Sequence, residues 1–411
     1  MKISRRNFVN LGTAAVVASP LLGKARAATL RDIDPLGVRN DFPILKTTNY
    51  LNTPYHSVSP NQVVDAGVQF YKDRGNPAES IGPFLAEGRE VRAKFAKLVG
   101  AEQGEIGLIQ ATTEAENIVV NNLDLKAGDN VVTDDLQYNA SYILYDHLAK
   151  TRGVEVRMVR SDQTGRIPFK EFEAAIDNKT RIVSVSFVSH ENGLCHDLRP
   201  LADLAHAHNA YIYVDAIQGV GMLELDVKKA DIDFMGCGTY KWLLASYGTA
   251  FFYVRRDLLE LIKADRLGTF SVYDMEKFTD FRSYPDAAKY GQATPAFGAI
   301  SVVGTALDYI NRVGVKNIET HTVALAHQIR DNLVNIGLKT DTPEENRSAI
   351  VSFFHGKDNA KVRELYQNEN IKVSYKHEGK KIRIGASLFN NQSDVDHFNA
   401  VCREIAKLES V

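Results

Sequence analysis

Short runs of apolar, β-forming residues alternate with segments of helical periodicity along most of the chain. The strand-like runs include DNVVTDD, VEVRMVR, TRIVSVSFVS, AYIYVDA and IDFMGCGT, and helical segments such as FKEFEAAI and LRPLADLAHAHN separate several of them. Strands that alternate with helices predict parallel β-α-β units, and near-continuous apolar strands predict a sheet covered on both faces. The pattern therefore predicts an α/β fold with a mostly parallel sheet.

The pattern changes after about Pro295. Two long helical segments, AFGAISVVGTALDYINRVG and VALAHQIRDNLVNIG, precede the shorter strands AIVSFFHG and KKIRIGAS and a terminal helix. We therefore expect a large domain over residues 61–295 and a smaller α+β domain over residues 296–411. Residues 28–60 are expected to form an N-terminal arm that lines the substrate site.

The first 27 residues have the pattern of an export signal. Arg5 and Arg6 are adjacent, an apolar run from Leu11 to Leu22 follows, and Ala25-Arg26-Ala27 resembles a cleavage site. The apolar run is too short to span a membrane, and the arginine pair indicates the twin-arginine (Tat) route, with a Sec signal as the alternative. We expect Tat export, a periplasmic location and no stable membrane insertion after processing.

Charge and cysteine content exclude several classes of partner. The 411-residue chain has a formal net charge of −2, so no electrostatic argument favours nucleic acid or a membrane surface. The three cysteines form no CxxC pair, and no zinc site or disulfide framework is expected. His206 and His208 are two residues apart on a predicted helix, where their rings diverge, so no metal is expected there.

Two charged side chains interrupt apolar segments. Asp215 directly follows the apolar strand YIYV, and Lys241 lies between Tyr240 and Trp242 in GCGTYKWLL. Ligands bind at the carboxyl ends of strands in open α/β sheets, which makes both residues candidates for one site. Taken singly, Asp215 also suits a helix N-cap, and Lys241 a snorkelling surface position. Together they suit pyridoxal 5'-phosphate (PLP), which requires a lysine amine and a carboxylate at its pyridine nitrogen.

The segments VDAIQGVG, DFMGCGTYKWLL and YGTAFFYVRRDLL resemble, in this order, the class V aminotransferase family. That family includes cysteine desulfurases, kynureninases and isopenicillin-N-epimerase-like proteins, and the resemblance covers nearly all of the mature chain. It implies PLP as cofactor, PLP-dependent fold type I with a mostly parallel seven-stranded sheet, and a homodimer with a shared active site. It also implies that Lys241 forms the Schiff base, that Asp215 contacts the pyridine nitrogen and that Gln218 lies near the phenolic oxygen.

The same resemblance assigns further cofactor contacts. Thr112 and Thr113 in ATTEA match a turn whose N–H groups and hydroxyl suit a phosphate, a geometry that a capping box also allows. Tyr138 takes the place of a histidine that stacks on the cofactor ring, with a plain core tyrosine as the alternative. Tyr240 replaces another histidine, and its phenol can donate to the phosphate. Thr294 in GQATPAFGA matches a threonine that reaches the phosphate in the partner subunit's site.

Substrate contacts are also implied. Arg383 in IRIGASLFNN matches an arginine that clamps the substrate α-carboxylate, with a surface arginine on an edge strand as the alternative. Asn52, Tyr55 and His56 lie in a segment that lines the substrate pocket of relatives. His190, where the family often has asparagine, is a candidate for contact with the phenolic oxygen or substrate, or for proton transfer. A packing role for His190 is an equal alternative.

The motifs do not select one reaction, because transamination, epimerisation, elimination and decarboxylation all use them. Desulfurases carry a nucleophilic cysteine on the loop that matches VSYKHEGKK, and its absence disfavours that activity. We expect a lyase, by C–S or other β- or γ-elimination, or a tailoring enzyme that acts on an exported amino acid, peptide or amino-acid-containing metabolite. Epimerase and aminotransferase are alternatives, and a non-catalytic PLP-fold binding protein is an alternative of another class. GVGMLE does not suit a dinucleotide loop, since Glu224 stands where a small residue is needed.

Overall fold

The computed structural model describes residues 34–76, 80–277 and 280–410. The predicted Tat signal, residues 1–27, lies outside the described residues. Within the described ranges, no helix combines the length and the apolar character needed to cross a membrane.

The chain alternates strands and helices as the hydrophobic pattern predicts. The strands are β1 (Asn49–Tyr50), β2 (Ile106–Ile109), β3 (Asn130–Asp134), β4 (Glu155–Val159), β5 (Thr180–Ser186), β6 (Tyr211–Asp215), β7 (Phe234–Gly238), β8 (Ala250–Val254), β9 (Val272–Lys277), β10 (Asp280–Ser283), β11 (Lys339–Thr340), β12 (Ile350–Phe354), β13 (Ile371–Lys372), β14 (Ser374–Lys376) and β15 (Lys381–Gly385). The α-helices are α1 (Asn61–Asp73), α2 (Gly82–Leu98), α3 (Thr112–Asn122), α4 (Asn139–Arg152), α5 (Phe169–Ala175), α6 (Leu198–Ala207), α7 (Phe297–Val313), α8 (Val315–Asn335), α9 (Asn359–Asn368) and α10 (Gln392–Lys407).

Seven strands form the large sheet, in the order β2-β8-β7-β6-β5-β3-β4. Strands β4, β3, β5, β6 and β7 are parallel to one another, whereas β8 is antiparallel to both β7 and β2. Every residue of β3, β7 and β8 is buried, as expected when helices cover both faces of a sheet. The predicted α/β class and the mostly parallel seven-stranded sheet are confirmed.

Helix α2 shows how local sequence shapes this layer. Val91 and Phe95 recur at helical spacing and are buried, and the Phe95 ring stacks on Phe251 of β8 with ring centroids 3.8 Å apart. The helix ends before Gly100, which has a φ of 70° and lies so close to Asp226 that a Cβ would be 2.8 Å from its carboxyl carbon. A glycine is therefore required at this turn.

The C-terminal part forms a four-stranded antiparallel sheet in the order β11-β12-β15-β14, and β1 pairs in parallel with β13 beside it. Ile300 and Val303 of α7 belong to the core of the large sheet, whereas Leu325 and Ile329 of α8 pack with the small sheet. The chain thus passes from one core to the other along α8. The boundary predicted at residue 296 stays a prediction.

Candidate active site

A cavity of about 380 Å³ lies at the carboxyl ends of β5, β6 and β7. These strands end at Ser186, Asp215 and Gly238, and all three residues line the cavity. Parallel sheets commonly bind ligands at this edge. The lining residues are Gln110, Ala111, Thr112, Thr113, Glu116, Tyr138, Ala140, Ser141, Ser186, Val188, His190, Asp215, Ile217, Gln218, Gly238, Tyr240, Lys241, Gly248 and Thr249.

Asp215 and Lys241 are buried ionisable residues of opposite sign that line this cavity. Oδ1 of Asp215 accepts the N–H of Ile217 at 3.0 Å, and Oδ2 has no hydrogen-bond partner among the described residues. Burial raises the pKa of Asp215, against the opposing effects of the Ile217 N–H and the positive charge of Lys241. Burial lowers the pKa of Lys241, and Asp215 opposes that shift. The pair thus combines a usable amine with a carboxylate that has a free oxygen.

Both polar atoms of the Gln218 side-chain amide form hydrogen bonds within the protein. Its Nε2 donates to the carbonyl of Pro54 at 2.8 Å, and its Oε1 accepts from Nε1 of Trp242 at 2.9 Å. A primary amide has two N–H donors, so one remains for a ligand in the cavity. These bonds also connect the lysine loop to the N-terminal segment that contains Pro54.

The N-terminus of α3 fits a phosphate. Thr112 and Thr113 line the cavity, and Oγ1 of Thr112 is buried without a hydrogen-bond partner. The first-turn N–H groups of a helix also lack partners within the helix. At the facing strand end, a Cβ on Gly238 would lie 3.2 Å from this hydroxyl and 2.7 Å from Ile217, so glycine preserves the space. The unpartnered hydroxyl, the buried lysine and the free carboxylate oxygen together fit PLP.

Tyrosines form one side of the cavity. The ring of Tyr240 stacks on Tyr247 with centroids 4.6 Å apart, and burial raises the pKa of Tyr240 to about 12. Tyr138 meets His190 edge to face, with ring centroids 5.1 Å apart. Because Tyr138 is 46% exposed and lines the cavity, the alternative of a plain core tyrosine is wrong.

Arg383 does not line the cavity itself but is bonded to the backbone of His190, which does. It belongs to β15, a central strand of the small sheet, and is 3% exposed, so the alternative of a surface arginine on an edge strand is wrong. Its Nη1 donates to the carbonyl of His190 at 2.6 Å and its Nη2 to Oγ of Ser374 at 3.1 Å, whereas Nε has no partner among the described residues. Burial lowers the pKa of Arg383 to about 10, a value at which the guanidinium stays charged at neutral pH.

The other predicted contacts lie outside the cavity of this chain. Asn52 reaches Arg383 indirectly, because its Oδ1 accepts from Ser374. Tyr55 is 63% exposed and meets His56 edge to face at 5.1 Å. Thr294 is exposed, and its predicted role concerns the partner subunit's site. The roles of these four residues stay predictions.

Glu116 is a cavity residue that the motif comparison missed. It accepts hydrogen bonds from Ser141 Oγ at 2.6 Å, Tyr145 OH at 2.7 Å and Ser184 Oγ at 2.6 Å. Burial raises its pKa, and these three hydroxyls oppose the shift. Residues four apart share one face of a helix, so the spacing from Thr112 was a signal that could have identified Glu116.

The GVGMLE segment is not a dinucleotide loop. The residues from 216 to 230 form turns and no helix, whereas a dinucleotide site requires a helix N-terminus directly after the strand. Gly221 has a φ of 94°, and a Cβ there would lie 2.5 Å from the carbonyl oxygen of Trp242. This glycine therefore allows the segment to pack against the lysine loop.

Comparisons with known proteins agree with this geometry. The family described as Aminotransferase class-V matches residues 49–398. A probable cysteine desulfurase of Methanothermobacter thermautotrophicus is 29% identical over 323 residues, which cover 77% of this chain and 80% of that protein.

Two solved structures share the fold. The apo cysteine desulfurase of Thermococcus onnurineus NA1 aligns with a TM-score of 0.84 at 22% identity, over 93% of this chain and 100% of that one. The cystine C–S lyase C-DES, in complex with its reaction product cysteine persulfide, aligns with a TM-score of 0.82 at 19% identity, over 89% and 99%. The chain is therefore a PLP-dependent enzyme of the class V aminotransferase family.

Proposed function

We propose that this enzyme cleaves a carbon–sulfur bond of an amino acid by elimination, so that the sulfur leaves on a small molecule and no cysteine of the protein receives it. The placement of the cysteines carries this proposal. All three, Cys195, Cys237 and Cys402, lie in the described part of the chain, and none lines the cavity. Burial raises the pKa of each thiol, which disfavours the thiolate that a nucleophile requires.

The residues of the site have separable tasks in such a reaction. When bound, PLP supplies an electron sink for the pair released at the substrate α-carbon. Asp215 would hold the pyridine nitrogen, and α3 with Thr112 would hold the phosphate. Arg383, directly behind the cavity wall, would bind the substrate carboxylate. Lys241, whose pKa is lowered by burial, takes the α-proton, after which the carbon–sulfur bond breaks with its electron pair on sulfur.

Cysteine desulfurase is the second candidate, because relatives that match most of the chain carry that name. The loop that would carry the nucleophile of such an enzyme runs here from β14 to β15 as SYKHEGKK and contains no cysteine. The sequence resemblance and the chemistry of the loop thus favour different fates for the sulfur.

Product analysis separates these fates. The holoenzyme is incubated with cysteine, cystine and S-alkyl cysteines. The proposal expects pyruvate and ammonia in each case, together with sulfide from cysteine, free cysteine persulfide from cystine and a thiol from the S-alkyl cysteines. Cys195→Ser, Cys237→Ala and Cys402→Ala variants should form these products at the wild-type rate. Alanine as product, with a persulfide on the protein that one of these substitutions abolishes, would establish the desulfurase instead. A racemised amino acid or a keto acid formed with an amino acceptor would establish the epimerase or the aminotransferase, and a fully inert holoenzyme would support the binding protein.

A further inference from the structure

His190 is a buried polar residue on the cavity wall. Its side chain is 6% exposed, and its ring is enclosed by Tyr138 on one side. Neither Nδ1 nor Nε2 has a hydrogen-bond partner among the described residues. Leaving such an atom unpaired costs about 1–3 kcal/mol, so a molecule in the cavity can lower the free energy by pairing with it.

Glu191 is the carboxylate that lies beside the ring of His190. Its Oε1 lies 2.9 Å from Nε2 of His190 and 2.8 Å from Nζ of Lys376, and its Oε2 lies 3.2 Å from Nε2 of His377 and 3.6 Å from Nζ of Lys381. Burial raises the pKa of Glu191, but His190 and Lys376 outweigh it and hold the pKa well below its usual range. An ionised carboxylate this close to the ring favours the protonated form of His190, and the unpartnered ring nitrogens are free to take up a proton.

The small domain holds this carboxylate in place. Lys376 and Lys381 belong to the β14–β15 hairpin, and Lys381 also pairs with Asp341. The next residue, Asn192, donates from Nδ2 to the carbonyl of Gly165 at 2.8 Å, and its own carbonyl accepts from Thr342 at 2.7 Å. The hairpin that carries the nucleophile in desulfurases therefore serves here as a cationic support for the residue beside His190.

We propose that His190 donates a proton to the departing sulfur and that Glu191 acts through the ring of His190 by favouring its protonated form. This inference rests on the proposed elimination. The substrate amine arrives as an ammonium group and must lose one proton before its nitrogen can act as a nucleophile. His190 accepts that proton on a ring nitrogen and later gives it to the sulfur, which leaves with the electron pair of the broken carbon–sulfur bond. The transfer needs no oxidant, reductant or added acid.

Substrate binding itself favours proton uptake by His190. Burial, together with the positive charges of Lys376 and Arg383, lowers the pKa of His190 to about 4 against the opposing effect of Glu191. A substrate carboxylate on Arg383 neutralises one of these charges, which makes the protonated ring easier to form. The ring is thus neutral before substrate binds and becomes a better base when the carboxylate is in place.

Leaving-group dependence distinguishes this role from a structural one. His190→Asn cannot carry a proton, so kcat for S-alkyl cysteines should fall by about 100-fold or more, the usual contribution of a positioned acid or base. S-aryl cysteines release a weakly basic thiolate that needs no proton to leave, so their kcat should fall far less, and KM should change little for both. Glu191→Gln should show the same difference at smaller amplitude.

Nitrogen NMR of histidine-labelled protein provides a readout independent of turnover. The ¹⁵N shifts of His190 should show a neutral ring in the free wild-type protein, and the ring should become protonated at lower pH in Glu191→Gln than in the wild type. A second histidine–glutamate pair supplies a matched control. His397 on α10 lies 3.0 Å from Glu369, which follows α9, and both side chains are exposed. His397→Asn and Glu369→Gln should leave kcat and the His190 shifts unchanged.

The outcomes separate the two hypotheses. Equal losses of kcat for S-alkyl and S-aryl substrates, or a His190 ring that titrates identically in the wild type and in Glu191→Gln, would overturn this role while the elimination itself stands. If the wild-type holoenzyme releases no thiol from any S-substituted cysteine, the proposed function fails and this role fails with it.

Discussion

Replacement of Thr112 by valine should change cofactor affinity and apoprotein stability in opposite directions. Valine has nearly the same shape as threonine but replaces the hydroxyl with a methyl group. In the apoprotein, Oγ1 of Thr112 is buried and unpaired, so its removal should stabilise the fold by about 1 kcal/mol. In the holoenzyme, we expect the hydroxyl to donate to the charged phosphate, a bond worth about 1.5–3 kcal/mol.

That loss corresponds to PLP binding that is about 10- to 150-fold weaker, since each tenfold change in affinity is about 1.4 kcal/mol. Equilibrium titration of the apoprotein with PLP, followed by absorbance, measures the affinity. Urea unfolding of the same apoprotein measures the stability. Thr112→Ser retains the hydroxyl and should stay close to the wild type in both measurements.

Thr322 supplies a control for the general effect of removing an orphaned hydroxyl. It lies on α8 outside the cavity, and its Oγ1 is also buried without a partner. Thr322→Val should stabilise the apoprotein similarly and leave PLP affinity unchanged. If Thr112→Val instead destabilises the apoprotein and binds PLP as tightly as the wild type, the assignment of this hydroxyl to the phosphate is refuted.

Two further predictions concern the lysine and the N-terminus. Burial lowers the pKa of Lys241 from its ordinary 10.5 to about 7. Between these two pH values, the unfolded chain binds a proton that the folded chain does not. Apoprotein stability should therefore rise with pH through this window, and Lys241→Met should flatten the rise; equal slopes in urea unfolding at several pH values would contradict this. We also propose Tat export, so joint Arg5→Lys and Arg6→Lys substitution should stop processing and leave the protein in the cytoplasm on fractionation, and unchanged processing would exclude the Tat route.

The sequence predicted the residues whose positions follow from local structure. Asp215 directly follows an apolar run, and Lys241 follows the next run, so a parallel sheet brings both to one edge. The substrate contact assigned to Arg383 came from the family resemblance and not from periodicity, and it stays a prediction. The apolar pattern alone could not show that β8 is antiparallel, because AFFYV is buried in the same way as its parallel neighbours.

The role of Glu191 could not be read from its neighbours in the chain. Its contacts with Lys376 and Lys381 depend on how the β14–β15 hairpin lies against the loop after β5, a contact between segments almost two hundred residues apart. No local propensity specifies such a contact. Tertiary packing brings these charges together, and only the folded chain shows why a lysine-rich hairpin is compatible with a buried histidine.

The pairing of β1 with β13 has a consequence for how the chain acquires its fold. Asn49 and Tyr50 find their strand partners at Ile371 and Lys372, and Asn52 bonds to Ser374 across a separation of 322 residues. Contacts between such distant segments form slowly, because a long loop must close before they provide any stabilisation. During synthesis, the N-terminal strand therefore stays without its partner until nearly the whole chain has left the ribosome. A truncation before residue 371 would leave this segment unpaired however well the large sheet had formed.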